Sequence, residues 1–126
     1  YSFDQYLREA GSSSGESYGL FGQVAVSDGN PNGLRWSMFL GVGGAGLLPG
    51  RSKDRWGVGY YYDGFSQSLK DALADIQTIR DEAGIEVFYD FQMTPWCHVG
   101  ADLQVITPGL GESTAVIPGL RAVIRL

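Results

Sequence analysis

Stretches of about ten residues in which apolar side chains strictly alternate with other types constrain this chain more than any other feature. A period of two is the mark of a β-strand with two unlike faces. Tyr18, Leu20, Val24 and Val26 alternate with Gly19, Phe21, Gln23, Ala25 and Ser27. Leu34, Trp36, Met38, Leu40 and Val42 alternate with Arg35, Ser37, Phe39, Gly41 and Gly43. The same scheme recurs over Arg55–Phe65 (Trp56, Val58, Tyr60, Tyr62 against Gly57, Gly59, Tyr61, Asp63) and Ile85–Met93 (Ile85, Val87, Tyr89, Phe91, Met93 against Glu86, Phe88, Asp90, Gln92). It returns over Val99–Val105, with Asp102 and Gln104 off the apolar face, and over Leu120–Leu126, with Arg121 and Arg125 off it. Six strands are expected, and Tyr6-Leu7 reads as the tail of a further one.

Turn-forming clusters separate these strands: Asp28 to Gly33, Leu48-Pro49-Gly50-Arg51, Thr94-Pro95 and Thr107 to Gly111. All but one of the links are too short for a parallel crossover, so the sheet is expected to be antiparallel. The exception is Ser68–Ala83, where Leu69, Ala72, Leu73, Ile76 and Ile79 fall at helical spacing. Ser68 with Asp71 reads as a capping box and Gly84 as the C′ residue. A helix over 68–83 is expected as a loop excursion. The Gly11 to Gly15 run reads as a flexible turn or linker.

A soluble β-sandwich and a membrane β-barrel both alternate, and differ in what meets each face. The strands run about 9–11 residues, longer than the usual soluble strand. Trp36, Trp56, Phe65 and Trp96 sit near strand ends, where interfacial aromatics belong. The apolar face carries no acidic or basic residue in any of the six strands. These points favour the barrel, and a small soluble sandwich that binds carbohydrate or a protein remains the alternative. The 19 glycines among 126 residues lack a collagen period and fall largely inside strands, where they read as space in a channel wall. A net charge of -5 disfavours nucleic acid as a partner.

The order of several motifs resembles the C-terminal third of a carbohydrate-selective porin of the OprB type. The stretches that carry this are Gly19-Leu20-Phe21-Gly22, Asp28-Gly29-Asn30-Pro31-Asn32, Gly46 to Arg51, Asp54 to Tyr60, Glu82 to Tyr89, Thr94-Pro95-Trp96, Ala101 to Ile106 and Pro118 to Arg121. The resemblance implies an all-β protein, an antiparallel transmembrane β-barrel of 16 strands in the outer membrane of a Gram-negative bacterium, passing sugars by diffusion. Residues 1–126 would be the C-terminal part of one barrel domain, with 68–83 an extracellular loop helix. The first residue is Tyr1 rather than Met, and the last is Leu126 where such barrels usually end in an aromatic residue. The chain is therefore expected to be a piece of a longer product. The expected partners are mono- or oligosaccharides, outer-membrane lipid and the remainder of the barrel, with a homotrimer among the assemblies the resemblance allows. Counting back from a periplasmic C-terminal strand puts Thr94-Pro95 and the Leu47–Asp54 turn in the periplasm, and the helix and the Thr107–Ala115 loop outside.

The channel-lining candidates are Gln23, Arg35, Asp63, Glu86, Asp90, Asp102, Gln104, Arg121 and Arg125, with His98 beside them. Hydroxyl-rich solutes need donors and acceptors from such groups, and Phe39, Tyr61 and Phe88 offer rings for the apolar faces of sugars. Bidentate Arg–carboxylate pairs are expected to orient the wall charges. Other chemistries fit less well. Gly41 to Gly46 spells G-x-G-x-x-G, but Leu47-Leu48-Pro49-Gly50 follows as a turn and not as the helix a dinucleotide site requires. Cys97 and His98 are each alone of their type and point to opposite faces as strand neighbours. The scattered carboxylates read as electrostatic lining and not as a glycosidase pair. No enzyme activity, metal or cofactor is expected.

Overall fold

The computed structural model describes residues 1–9, 16–28, 32–111 and 113–125. The Gly11–Gly15 run, the middle of the Asp28–Gly33 turn and Leu126 lie outside the described residues. The elements are β1 (Ser2–Arg8), β2 (Ser17–Val26), β3 (Leu34–Ala45), β4 (Arg55–Phe65), α1 (Gln67–Leu73), β5 (Glu82–Thr94), β6 (Cys97–Thr107) and β7 (Ala115–Ile124). All seven strands form one sheet in the order of the sequence, and every neighbouring pair is antiparallel.

A sandwich requires two sheets with a shared dry core. The described strands make a single sheet, and Ile79, outside the strands, is the one buried hydrophobic residue among the described residues. The soluble sandwich is therefore set aside: alternation here serves a sheet whose apolar face is left open. The expected tail of a further strand is a full seventh strand, β1, whose Phe3, Asp4 and Gln5 pair with Gly22, Phe21 and Leu20.

Register decides which side chains share a face, because direct cross-strand partners point the same way. Leu20 pairs with Val42, Val42 with Val58, Val58 with Val87, Val87 with Leu103 and Leu103 with Pro118. One apolar row thus crosses six strands without a slip. β2 to β7 contain 10 to 13 residues each. At about 3.3 Å per residue and a tilt of about 40°, they rise roughly 25–33 Å, the height of a barrel's apolar band.

Aromatic residues mark both rims of this face. At the rim that carries α1, Trp36 stacks on Tyr62, with centroids 4.8 Å apart. At the rim of the short turns, Tyr89 and Phe91 lie 4.4 Å apart, and Trp56 pairs with Tyr89.

The helical excursion is shorter than its apolar spacing predicts. It spans Gln67–Leu73, and its N-cap is Ser66, whose hydroxyl accepts from the Leu69 amide at 3.3 Å. Neither Ser68 nor Gly84 plays the expected capping part, and Gly84 lies inside β5. The apolar period breaks because Ile76 and Ile79 serve different surroundings. Ile76 is exposed, whereas Ile79 is buried where it bridges Leu110 on the neighbouring loop. An extended segment satisfies that contact and a continued helix does not.

Candidate functional site: the polar face of the sheet

Among the described residues no helix is long and apolar enough to cross a membrane. The face opposite the apolar row carries Asp4 and Tyr6 on β1, and Phe21 and Gln23 on β2. Phe39 follows on β3, Arg55, Tyr61 and Asp63 on β4, and Glu82, Glu86, Phe88 and Asp90 on β5. Asp102 and Gln104 stand on β6, and Arg121 on β7.

Aromatic rings are held against this face by glycines. A Cβ added to Gly41 would meet the Phe21 ring at 2.6 Å, one added to Gly59 the Phe39 ring at 2.9 Å, and one added to Gly57 the Phe88 ring at 2.5 Å. Gly84 stands in the same relation to Tyr61. Glycines in the strands thus do not leave the space open, as their number alone suggests. Each of these four seats a ring from the strand beside it, which flattens the ring on the wall and covers exposed backbone. Phe21 and Phe39 are 5.5 Å apart and tilted by 40°. Phe39 lies directly across from Tyr61. The three rings form a diagonal apolar strip over β2, β3 and β4. Its end is fixed by the Tyr61 hydroxyl, which donates to Glu82 at 2.9 Å.

Three of the carboxylates collect on the other half of the face. Glu86, Asp90, Asp102, Gln104 and Arg121 line one concavity of about 270 Å³, with Phe88 among them. Five of the nine predicted lining residues therefore come together. Asp102 pairs with Gly119 and Phe88, and its carboxylate fills the space a side chain on Gly119 would need. His98 Nδ1 is 3.4 Å from Asp90 Oδ2. Asp63 stands away from this group, opposite Ser37 and Glu82 near the rim of the excursion. Gln23 lies opposite Phe39 at the end of the aromatic strip.

Arg35 and Arg125 are placed differently from the rest. Arg35 falls in a bulge where β3 slips against β4, and its carbonyl accepts from the Ser27 amide. Arg125 lies just beyond β7, with its amide donating to the Trp96 carbonyl at 2.9 Å. The expected bidentate Arg–carboxylate pairs on the wall do not form. Among the described residues the ion pairs are Arg8–Glu16, Arg51–Asp54 and Lys70–Asp81, and His98 lies near Asp90. The bidentate one belongs to the short turn, where Arg51 donates to Asp54 at 2.6 and 2.9 Å. Arg121 faces Gly100, and Arg55, directly across from Asp90, makes no ion pair with it.

Sequence reasoning misses Arg55, which pairs with Asp90 and Ala45. It lines a second concavity of about 470 Å³ with Asp4, Tyr6, Phe21 and Phe88. Its parity with Gly57 and Tyr61 is the signal that could have found it. Among the described residues no group of three or more His, Cys, Asp and Glu is arranged to hold a metal ion.

Outside the strands, two aspartates are tuned by their partners. Burial acts to raise the Asp54 carboxyl, but hydrogen bonds from Arg51, the Gln92 amide and the Tyr89 hydroxyl outweigh it and hold it below the usual carboxylate range. Asp81 is also held low, chiefly by the Lys70 ammonium at 2.7 Å, with help from the Tyr62 hydroxyl and the Phe65 amide. Asp54 fastens one short turn to the end of β5, and Asp81 fastens the α1 excursion to β4.

A sheet of long antiparallel strands in sequence order, with one apolar face, aromatic rims and a polar, ring-lined reverse, is the wall of a membrane β-barrel. The chain matches the family described as carbohydrate-selective porin, OprB family, over residues 1–126, and it belongs to that family. Its fold is similar to that of OprB from Pseudomonas putida in a structure determined at high pH. The TM-score is 0.84 and the identity 24%, over 96% of this chain and 33% of that one. The chain thus spans about a third of the length of that relative. No curated protein is matched by it.

Proposed function

We propose that these seven strands form one section of the wall of a Gram-negative outer-membrane porin, and that their polar face lines a path for the passive diffusion of sugars. One observation carries this reading: a single register sets an unbroken apolar row on one face and a ring-and-carboxylate surface on the other. The rest of the barrel closes the two open edges, β1 and β7, since lipid does not tolerate unpaired strand edges.

Sugars have apolar ring faces and hydroxyl edges. The Phe21, Phe39 and Tyr61 strip takes the first, and Glu86, Asp90, Asp102, Gln104 and Arg121 exchange hydrogen bonds with the second as water is displaced. Gln23 and Asp63 extend these two surfaces. Transport follows the gradient and forms no covalent intermediate. The short turns face the periplasm, and the α1 excursion and the 108–114 loop face outward, in keeping with the usual asymmetry of such barrels.

The test is sugar flux through the complete barrel in proteoliposomes. Arg121→Glu should change ion selectivity and slow monosaccharide entry. Unchanged selectivity and flux in both Arg121→Glu and Asp102→Lys would overturn the assignment of this face to the path.

A further inference from the structure

The turn between β3 and β4 folds over the apolar side of the sheet and not the polar side. Asp54 has the parity of Trp56 and Val58, which would aim its carboxylate at lipid, yet it is only 2% exposed. Arg51, Tyr89 and the Gln92 amide enclose it. The guanidinium of Arg51 also sits 5.8 Å over the ring of Phe91, an apolar-face residue. A cationic group is thereby pinned at the edge of the apolar band, with its negative partner buried behind it.

Beside it is a concavity of about 290 Å³ between this turn and the β5–β6 turn, lined by Arg51, Ser52, Lys53, Gln92, Met93 and Pro95 among others. Lys53 is exposed and makes no ion pair among the described residues. Arg51 and Asp54 cancel, so Lys53 leaves the pocket with a net positive charge. Below the pocket, Phe91 and Met93 are exposed on the apolar face.

We propose that this pocket binds the phosphate headgroup of an anionic phospholipid from the periplasmic leaflet. Lys53 and the free edge of Arg51 donate to the phosphate, and an acyl chain lies along Phe91 and Met93. The inference rests on the orientation given under Proposed function. Two features select a lipid over a soluble anion. The cations sit at the level where the apolar band ends, which is where a headgroup resides, and the pocket's floor is continuous with lipid-facing side chains. Arg51 is already ordered by Asp54 and Phe91, so little of its side-chain freedom remains to be lost on binding.

Native mass spectrometry of the complete barrel in detergent, titrated with phosphatidylglycerol, tests this. One phosphatidylglycerol should bind in preference to phosphatidylcholine. Lys53→Glu should weaken it by about fivefold or more, and Lys53→Arg should retain it. Lys53→Glu should leave the melting temperature and the sugar flux unchanged. Equal binding by wild type and Lys53→Glu, or full competition by millimolar inorganic phosphate, would overturn the lipid site. A barrel that conducts sugar yet shows either result rejects this inference alone. A barrel that does not insert or conduct rejects the reading on which it rests.

Discussion

The ring of Phe39 lies over Gly59 on the next strand, so close that a Cβ there would meet it at 2.9 Å. Each partner explains the other: the glycine makes the seat, and the ring covers the backbone the glycine exposes. Gly59→Leu should lift Phe39 off the wall and into the space proposed for solute. The cost to stability is expected at about 1–3 kcal/mol, as for other overpacked sites. Sugar flux should fall more than small-ion conductance, because the ring is displaced while wall charges stay. Conductance and flux measured on the same preparation check this, and equal losses in both would speak against it.

Acid should loosen the short turn before it unfolds the sheet. The Asp54 carboxyl is held below its ordinary value in the folded protein. Its contribution is therefore fully present above the unfolded carboxylate value of about 3.9, and is lost as pH falls through the lower folded value. Asp54→Asn removes this dependence. It also weakens the acceptors of the Tyr89 hydroxyl and the Gln92 amide, at an expected cost of about 1–3 kcal/mol at neutral pH. Melting curves of both proteins from pH 7 down to about pH 2 should converge at the acid end. Parallel curves would show that Asp54 does not titrate in this range.

Ser66 caps a seven-residue helix, too short to persist without its anchors. Ser66→Ala should cost about 1 kcal/mol locally. Amide exchange across 67–73 should quicken, while exchange in β4 and β5 stays slow. Ile79→Ala should have a similar local effect, because its bridge to Leu110 ties the excursion to the neighbouring loop. Uniformly faster exchange across the sheet would mean that the excursion supports the wall itself.

Most of the wall is legible in the amino-acid sequence, and the reason is physical. Side-chain period in a strand is fixed at two, so Val24, Met38, Tyr62 and Val105 declare their face by position alone. What escapes a sequence reading are features set by neighbours across the sheet. The seat of Phe39 depends on Gly59, one strand away in space but a whole hairpin away along the chain, and no local pattern encodes which ring lies beside which glycine. The helix is shorter than its pattern because Ile76 and Ile79 keep a helical spacing while one faces solvent and the other faces Leu110. Among the lining residues, Glu86, Asp90, Asp102, Gln104 and Arg121 are legible from parity. Arg35 and Arg125 also alternate, but a bulge and a strand end take them out of the ladder. The Arg51–Asp54 pair joins two turn residues to β5, and its meaning appears only when Tyr89 and Gln92 are placed beside it.

Wall charge should be tunable without loss of the fold. Asp102 fills the space above Gly119. Gly119→Ala should push that carboxylate aside and alter cation preference in the complete barrel, with a melting temperature lowered by a few degrees, on the order of 1 kcal/mol. Reversal potentials under a salt gradient read the change, and an unaltered potential would place Asp102 away from the ion path.

The central claim is that one face meets water and the other lipid. The most direct measurement is thiol labelling of single cysteines in the complete barrel in liposomes, on a Cys97→Ser background. Cysteines at Glu86, Asp102 and Gln104 should react with a charged, membrane-impermeant reagent, and saturating sugar should slow the reaction. Cysteines at Val87, Leu103 and Val105 should stay unmodified. Labelling of the second set, or of both sets equally, would contradict the account.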